Sequence, residues 1–132
     1  MTNTSLNNVS VLCVDNYIDA LELLKLFLQL CGAQVYTAVS MDEAMRIFHA
    51  HHPNMLISDL ALPQGSGIAL LKAIRSQDAV MSAIALTGIS DSKVRQQALD
   101  AGFDRYLVKP VDDHVLIQAV SALTLKGKKL SA

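Results

Sequence analysis

Apolar and polar positions alternate on two scales along the chain. Short apolar runs end in a polar residue, and the stretches after them carry apolar residues at three- and four-residue spacing. Val9 to Val14 is apolar on both faces, as in a strand buried inside a parallel sheet, and stops at Asp15. Tyr17 to Cys31 predicts a helix, with Gly32 as its C-terminal stop. Gln34 to Ala38 predicts a second strand. Ser40 and Glu43 form a capping box for a second helix, with Ala44, Ile47, Phe48 and His51 on one face and Pro53 ending it. Met55 to Ser58 predicts a third strand ending at Asp59, and Leu60 to Ser66 a loop containing Pro63 and Gly65. Gly67 to Ser76 then reads as a third helix capped by Ser66. Ala83 to Leu86 is a fourth strand ending at Thr87. Ser90 is read as the cap of a fourth helix, with Val94, Ala98 and Ala101 at helical spacing and Gly102 at its end. Arg105 to Val108 is a fifth strand ending at Lys109-Pro110. Asp112 caps a last helix carrying Leu116, Ala119, Val120 and Leu123.

Five such units in strict alternation predict an α/β fold. Its sheet is parallel, its helices cover both faces, its crossovers are right-handed, and ligands bind beyond the carboxyl ends of the strands. The 132 residues fit one domain. With 52% hydrophobic and 17% charged residues, disorder is excluded. A net charge of −1 leaves no basic excess for phosphates, and a chain without Trp offers no stacking platform, so no nucleic acid is expected as a direct partner. No membrane is expected either. The longest apolar stretch, Ile18 to Cys31, is broken by Asp19, Glu22, Lys25 and Gln29. Met1 to Ser10 lacks Lys and Arg and is no signal peptide. Cys13 and Cys31 are not spaced as a metal or redox pair. As reduced core thiols they suit a cytoplasmic location. His49, His51 and His52 lie where a helix dipole favours them, and no second ligand pair completes a metal site. Lys126, Lys128 and Lys129 read as a solvated tail.

The polar residues at the strand ends carry the chemistry. Asp15 with Asn16, Asp59, Thr87 and Lys109 fall at one edge of the predicted sheet. Taken singly, each has a plain reading as a turn former, a cap or a solvated charge. Together they place two carboxylates, a hydroxyl and an ammonium in one open crevice. Carboxyl groups with a backbone carbonyl suit Mg²⁺, which prefers oxygen ligands and keeps several waters. An ionised Asp59 beside such a metal is a nucleophile toward phosphorus. Lys109 and Thr87 would then bind the oxygens of a transferring phosphoryl group, a reaction governed by positioning and charge neutralisation.

The motifs Val11-Leu-Cys-Val-Asp15-Asn16, Ser58-Asp59-Leu60-Ala61-Leu62-Pro63 with Gly67, Ala85-Leu86-Thr87-Gly88 and Tyr106-Leu-Val-Lys109-Pro110 occur in this order at these strand ends. On them the chain resembles the receiver domain of two-component response regulators. The resemblance covers a core of about residues 9–125 and makes 1–132 a single domain with short polar N-terminal and basic C-terminal tails. It implies the flavodoxin-like doubly wound (βα)5 fold with strand order 2-1-3-4-5. It further implies that Asp59 is the phospho-acceptor, and that Asp15, Asp59 and the backbone carbonyl of Ala61 bind Mg²⁺. Thr87 matches the switch hydroxyl, Tyr106 the switch aromatic and Lys109 the phosphate-binding lysine. Gly88 matches the small residue that leaves room for the phosphoryl group, and the Lys109-Pro110 bond is cis in the family. Read without the family, Tyr106 is a half-buried core aromatic, and the resemblance reverses that reading.

Asn16 departs from the pattern, since the family usually has a second acid there. It adds no charge and contributes to the metal weakly or through water, so Mg²⁺ binding is expected to be weaker than usual. The first helix also stands out. Ala20, Leu24, Phe27, Leu28 and Cys31 form a core stripe, and Leu23, Leu26 and Leu30 widen the apolar arc beyond it. These three leucines are either scattered surface residues or a docking stripe for the helical bundle of a histidine kinase.

The function expected is that of a phospho-accepting receiver, not a turnover enzyme. A histidine kinase or histidine phosphotransfer protein gives its phosphoryl group to Asp59, and the face of the fourth helix, fifth strand and fifth helix changes its affinity for a downstream protein. A homodimer is a further candidate partner state. In the family, the side chains two places after the acceptor and after the switch threonine flank the path of hydrolytic water. Here they are Ala61 and Ile89, which cannot orient a water, so slow self-dephosphorylation is expected. One alternative is a binding module that no longer uses phosphate. Another is an aspartyl-nucleophile phosphatase, which would want a second acid where Ala61 stands. No DNA-binding output domain fits beside the receiver in this length. The chain either acts alone through protein contacts or forms part of a longer hybrid kinase or regulator.

Overall fold

The apolar runs pair side by side, and the three central ones are buried on both faces and need a helix over each. The computed structural model describes residues 6–131, with side chains as far as Thr124. The side chains of Lys126, Lys128 and Lys129, and all of residues 1–5, lie outside the described residues. The strands are β1 (Ser10–Val14), β2 (Gln34–Ala38), β3 (Met55–Ser58), β4 (Ala61–Leu62), β5 (Gly65–Ser66), β6 (Ser82–Thr87) and β7 (Arg105–Val108). The helices are α1 (Ile18–Leu30), α2 (Met41–His51), α3 (Gly67–Arg75), α4 (Ser92–Ala101) and α5 (Asp113–Ser131). β2-β1-β3-β6-β7 form one parallel sheet in that order, which is the expected order 2-1-3-4-5 once the short strands β4 and β5 are set aside.

Two apolar layers sandwich the sheet. On one face, Val11, Cys13, Ile57 and Ile84 pack against Leu21 and Leu28 of α1 and Leu116, Val120 and Leu123 of α5. On the other, Leu12, Leu56, Ala83 and Ala85 pack against Phe48 of α2, Leu70, Leu71 and Ile74 of α3, and Ala98 of α4. Each large side chain so buried stabilises the fold by about 1.5–3 kcal/mol. Both cysteines are free and buried in the first layer, as expected. Among the described residues no helix is long and apolar enough to cross a membrane.

Most predicted caps are present. Ser40 Oγ accepts from the Glu43 amide at 3.2 Å, and Ser66 Oγ from that of Ala69 at 3.0 Å. Asp112 Oδ1 accepts from the His114 amide at 2.8 Å. Two details differ from the sequence reading. α4 is capped by Asp91, not Ser90, because the Asp91 carboxylate reaches two free amides, those of Lys93 and Val94. The stretch from Leu60 to Ser66 is not a plain loop, since β4 and β5 pair antiparallel across it. As expected, α2 stops just before Pro53, closing on left-handed His52 with φ 47°. The three histidines are dispersed: His51 stacks on Tyr36, His49 Nε2 meets Gln77 at 2.8 Å, and His52 lies edge-on to Phe48.

Candidate functional site

Register fixes where the strand-end residues emerge. Val14 pairs with Ser58, so Asp15 and Asp59 leave the sheet at one level. Thr87 pairs with Val108, which brings Lys109 out beside them. The Lys109-Pro110 bond is cis. Lys109 Nζ lies 2.5 Å from Asp15 Oδ2 and 3.2 Å from Asp59 Oδ2, so one ammonium bridges both carboxylates. Burial alone pulls the Lys109 pKa down. The hydrogen bond to Asp15 and the charges of both aspartates outweigh it and hold the pKa above its usual value. The lysine is therefore fully charged near neutral pH.

Each carboxylate is held on its other oxygen as well. Asp15 Oδ1 accepts from the Tyr17 amide at 2.9 Å. Asp59 Oδ1 accepts from the Thr87 hydroxyl at 2.9 Å and from the Ala61 amide at 3.1 Å. Thr87 and Lys109 thus grip Asp59 from opposite oxygens. From Thr87 a chain of contacts runs outward to β7. The Ile89 amide donates to Thr87 Oγ1 at 3.4 Å, and the Tyr106 hydroxyl donates to the Ile89 carbonyl at 2.6 Å. Burial raises the Tyr106 pKa, and the charges of Asp91 and Asp59 raise it further against the opposing effect of Arg95. The phenol stays protonated and able to donate.

The donor set fits Mg²⁺. Asp15 and Asp59 bring two carboxylates close enough to share one cation, here the Lys109 ammonium, and Ala61, the residue expected to supply a carbonyl oxygen, is exposed. Asn16 is exposed and neutral, and among the described residues no group of three or more His, Cys, Asp or Glu gathers that could hold a metal. A Cβ added at Gly88 would meet no atom within 4 Å, so the space around Gly88 is open. Ala61 is exposed, whereas Ile89 is half-buried and packs on the second core layer with Tyr106 and Val94. Of the two residues read as flanking the water path, Ala61 is the more open.

The leucines of α1 divide as the wide arc implied. Leu21 and Leu28 are buried, while Leu23, Leu26 and Leu30 are 69%, 55% and 54% exposed. Leu21, left out of the predicted core stripe, belongs to it. A cleft of about 160 Å³ is lined by Leu23, Leu24 and Phe27 of α1 together with Asp15 and Lys109 of the site. The sequence reading missed the backbone groups that position the site, since these carry no residue-type signature. It also missed Ser58, whose one available signal is a polar residue closing the otherwise apolar run Met55 to Ser58.

Residues 11–121 match the family model of the response regulator receiver domain. The 14.6 kDa protein of the sodA1 3′ region of Leptolyngbya boryana is 36% identical over 92% of this chain and 94% of its own length. The transcriptional regulatory protein PrrA of Mycobacterium tuberculosis is 34% identical over 92% of this chain and 52% of its own, so the chain spans about half the length of that regulator. A response regulator receiver domain protein from Clostridium thermocellum superposes with a TM-score of 0.87 at 31% identity, covering 92% of this chain and 98% of its own. The chain belongs to the receiver-domain family of two-component response regulators.

Proposed function

We propose that the chain accepts a phosphoryl group on Asp59 from a phosphohistidine of a histidine kinase or phosphotransfer protein. The observation that supports this best is the grip on Asp59, with the Lys109 ammonium on one carboxylate oxygen and the Thr87 hydroxyl on the other. One Asp59 oxygen attacks phosphorus, the bond from phosphorus to the donor's imidazole nitrogen breaks, and the imidazole leaves with that electron pair. Lys109 pairs with the phosphoryl oxygens as charge builds on them. Asp15, Asp59 and the Ala61 carbonyl would hold Mg²⁺, with Asn16 contributing weakly or through water. When bound, the ion supplies charge neutralisation for the phosphoryl oxygens.

The Thr87 hydroxyl then moves its hydrogen bond from the carboxylate to the phosphoryl group. Ile89 and Tyr106, tied to Thr87 by the contacts described, follow it. The face of α4, β7 and α5 thereby changes its affinity for a downstream protein or a second copy of the chain, a population shift set by differential contacts. The exposed leucines of α1 and the cleft beside them dock the phosphodonor. A cytoplasmic location fits this role.

Labelling with acetyl phosphate and Mg²⁺ tests the reading. Stable label on Asp59 is expected. Rapid multiple turnover would instead mean a phosphatase, and no label a binding module independent of phosphate.

Two further results are expected. Asn16→Asp restores a charge beside the metal position. Two unit charges about 4 Å apart interact by up to about 4 kcal/mol at an effective dielectric of 20, and by less in an open crevice. Mg²⁺ binding should tighten about tenfold by calorimetry at fixed ionic strength, and an unchanged affinity would mean that Asn16 points away. Self-dephosphorylation should be slow and should accelerate in Ala61→Asn, which adds a group able to orient water. Decay of labelled protein after donor removal measures this, and equal rates in both proteins would count against it.

A further inference from the structure

We infer that Ser58 is a positioning residue for Asp59, acting through the peptide that joins Asp59 to Leu60. The inference rests on the reading of Asp59 as the phospho-acceptor.

Ser58 closes β3, whose four residues are all buried, and its side chain is fully excluded from solvent. A buried hydroxyl is costly unless it is hydrogen-bonded. The Ser58 Oγ donates at 2.7 Å to the carbonyl of the next residue, Asp59. Gly67, the first residue of α3, packs against the same carbonyl. A Cβ on Gly67 would stand 2.3 Å from the Asp59 carbonyl oxygen and 3.0 Å from Leu60 Cα, so only glycine fits without a backbone shift. The Gly67 amide also donates to the Leu60 carbonyl at 2.9 Å. The Asp59–Leu60 peptide is therefore held by the Ser58 hydroxyl and packed closely by Gly67, while the following peptide is held through the Leu60 carbonyl.

Its orientation matters because it decides where Ala61 lies relative to the Asp59 side chain. The Ala61 amide donates to Asp59 Oδ1 at 3.1 Å, beside the Thr87 hydroxyl. The Asp59 amide is fixed independently, by a 2.9 Å hydrogen bond to the Val14 carbonyl. Removing the Ser58 hydroxyl leaves the Asp59 carbonyl without this donor and loosens the Asp59–Leu60 peptide, which then rests on the packing of Gly67 alone. The Ala61 amide, and the Ala61 carbonyl assigned to the metal, then drift from the carboxylate. Small misplacements of this kind cost about ten- to a hundredfold in rate when reacting groups must be aligned.

The test compares the unchanged chain with Ser58→Ala and Ser58→Thr, the second of which keeps the hydroxyl. Melting temperature, Mg²⁺ affinity and the rate of labelling by acetyl phosphate are measured on each. Ser58→Ala is expected to stay folded at the assay temperature, to label about tenfold more slowly and to bind Mg²⁺ more weakly, with Ser58→Thr restoring both. A purely structural serine would lower the melting temperature alone. Folded Ser58→Ala with unchanged labelling rate and Mg²⁺ affinity overturns the inference. If the unchanged chain takes no label, the assignment of Asp59 itself falls, and the positioning role falls with it.

Discussion

Asp59→Asn should carry no covalent phosphate after incubation with acetyl phosphate and Mg²⁺, while the chain stays folded. The amide keeps the shape of the carboxyl group but is no nucleophile toward phosphorus. In the native site two carboxylates share one ammonium, at 2.5 Å and 3.2 Å, so the cluster carries one uncompensated negative charge. The substitution removes that charge and leaves Lys109 paired with Asp15 alone. The carbonyl oxygen of the introduced amide can still accept from Thr87 and from the Ala61 amide. Stability should therefore hold or rise in a denaturant titration. Undiminished phosphate on the variant by mass spectrometry would remove Asp59 from its role, and a collapsed fold would show that the carboxylate is structural.

Leu26→Glu or Leu30→Glu should slow phosphotransfer from the cognate histidine kinase by about ten- to a hundredfold, the cost expected of an anchor residue in an interface. The same variants should label at the native rate with acetyl phosphate. Both leucines are more than half exposed, so a glutamate there removes no core contact, and stability should stay within about 0.5 kcal/mol. The contrast between donors is the informative part, because the small donor needs the Asp59 site and not the helix surface. Equal slowing with both donors would place the effect in the site. Loss of folding would return the leucine concerned to the core.

Much of this molecule was legible because strand-end chemistry and helix-end chemistry use few residue types. Asp15, Asp59, Thr87 and Lys109 each terminate an apolar run, and the sheet register had only to bring them level. Ser40, Ser66 and Asp112 could be read as caps because short oxygen-bearing side chains satisfy free amides at helix starts. The misreadings came where two residues compete or where a residue acts out of type. Ser90 and Asp91 are both good caps, and the choice depends on where the chain leaves β6. Gln64 takes a left-handed φ of 57° in the turn between β4 and β5, a conformation usually given to glycine or asparagine. The link from Thr87 to Tyr106 passes through the main chain of Ile89, where any residue supplies the same two groups.

α4 contributes one fully buried side chain, Ala98, to the second core layer, whereas α3 contributes four buried residues. Helices are held in proteins chiefly by the apolar face they bury. Lifting α4 locally should therefore cost less than lifting α3. An element so lightly tethered costs little to redirect. A modest change in hydrogen bonding at its N-terminal loop, where the Ile89 main chain is anchored, is on the scale required to bias it.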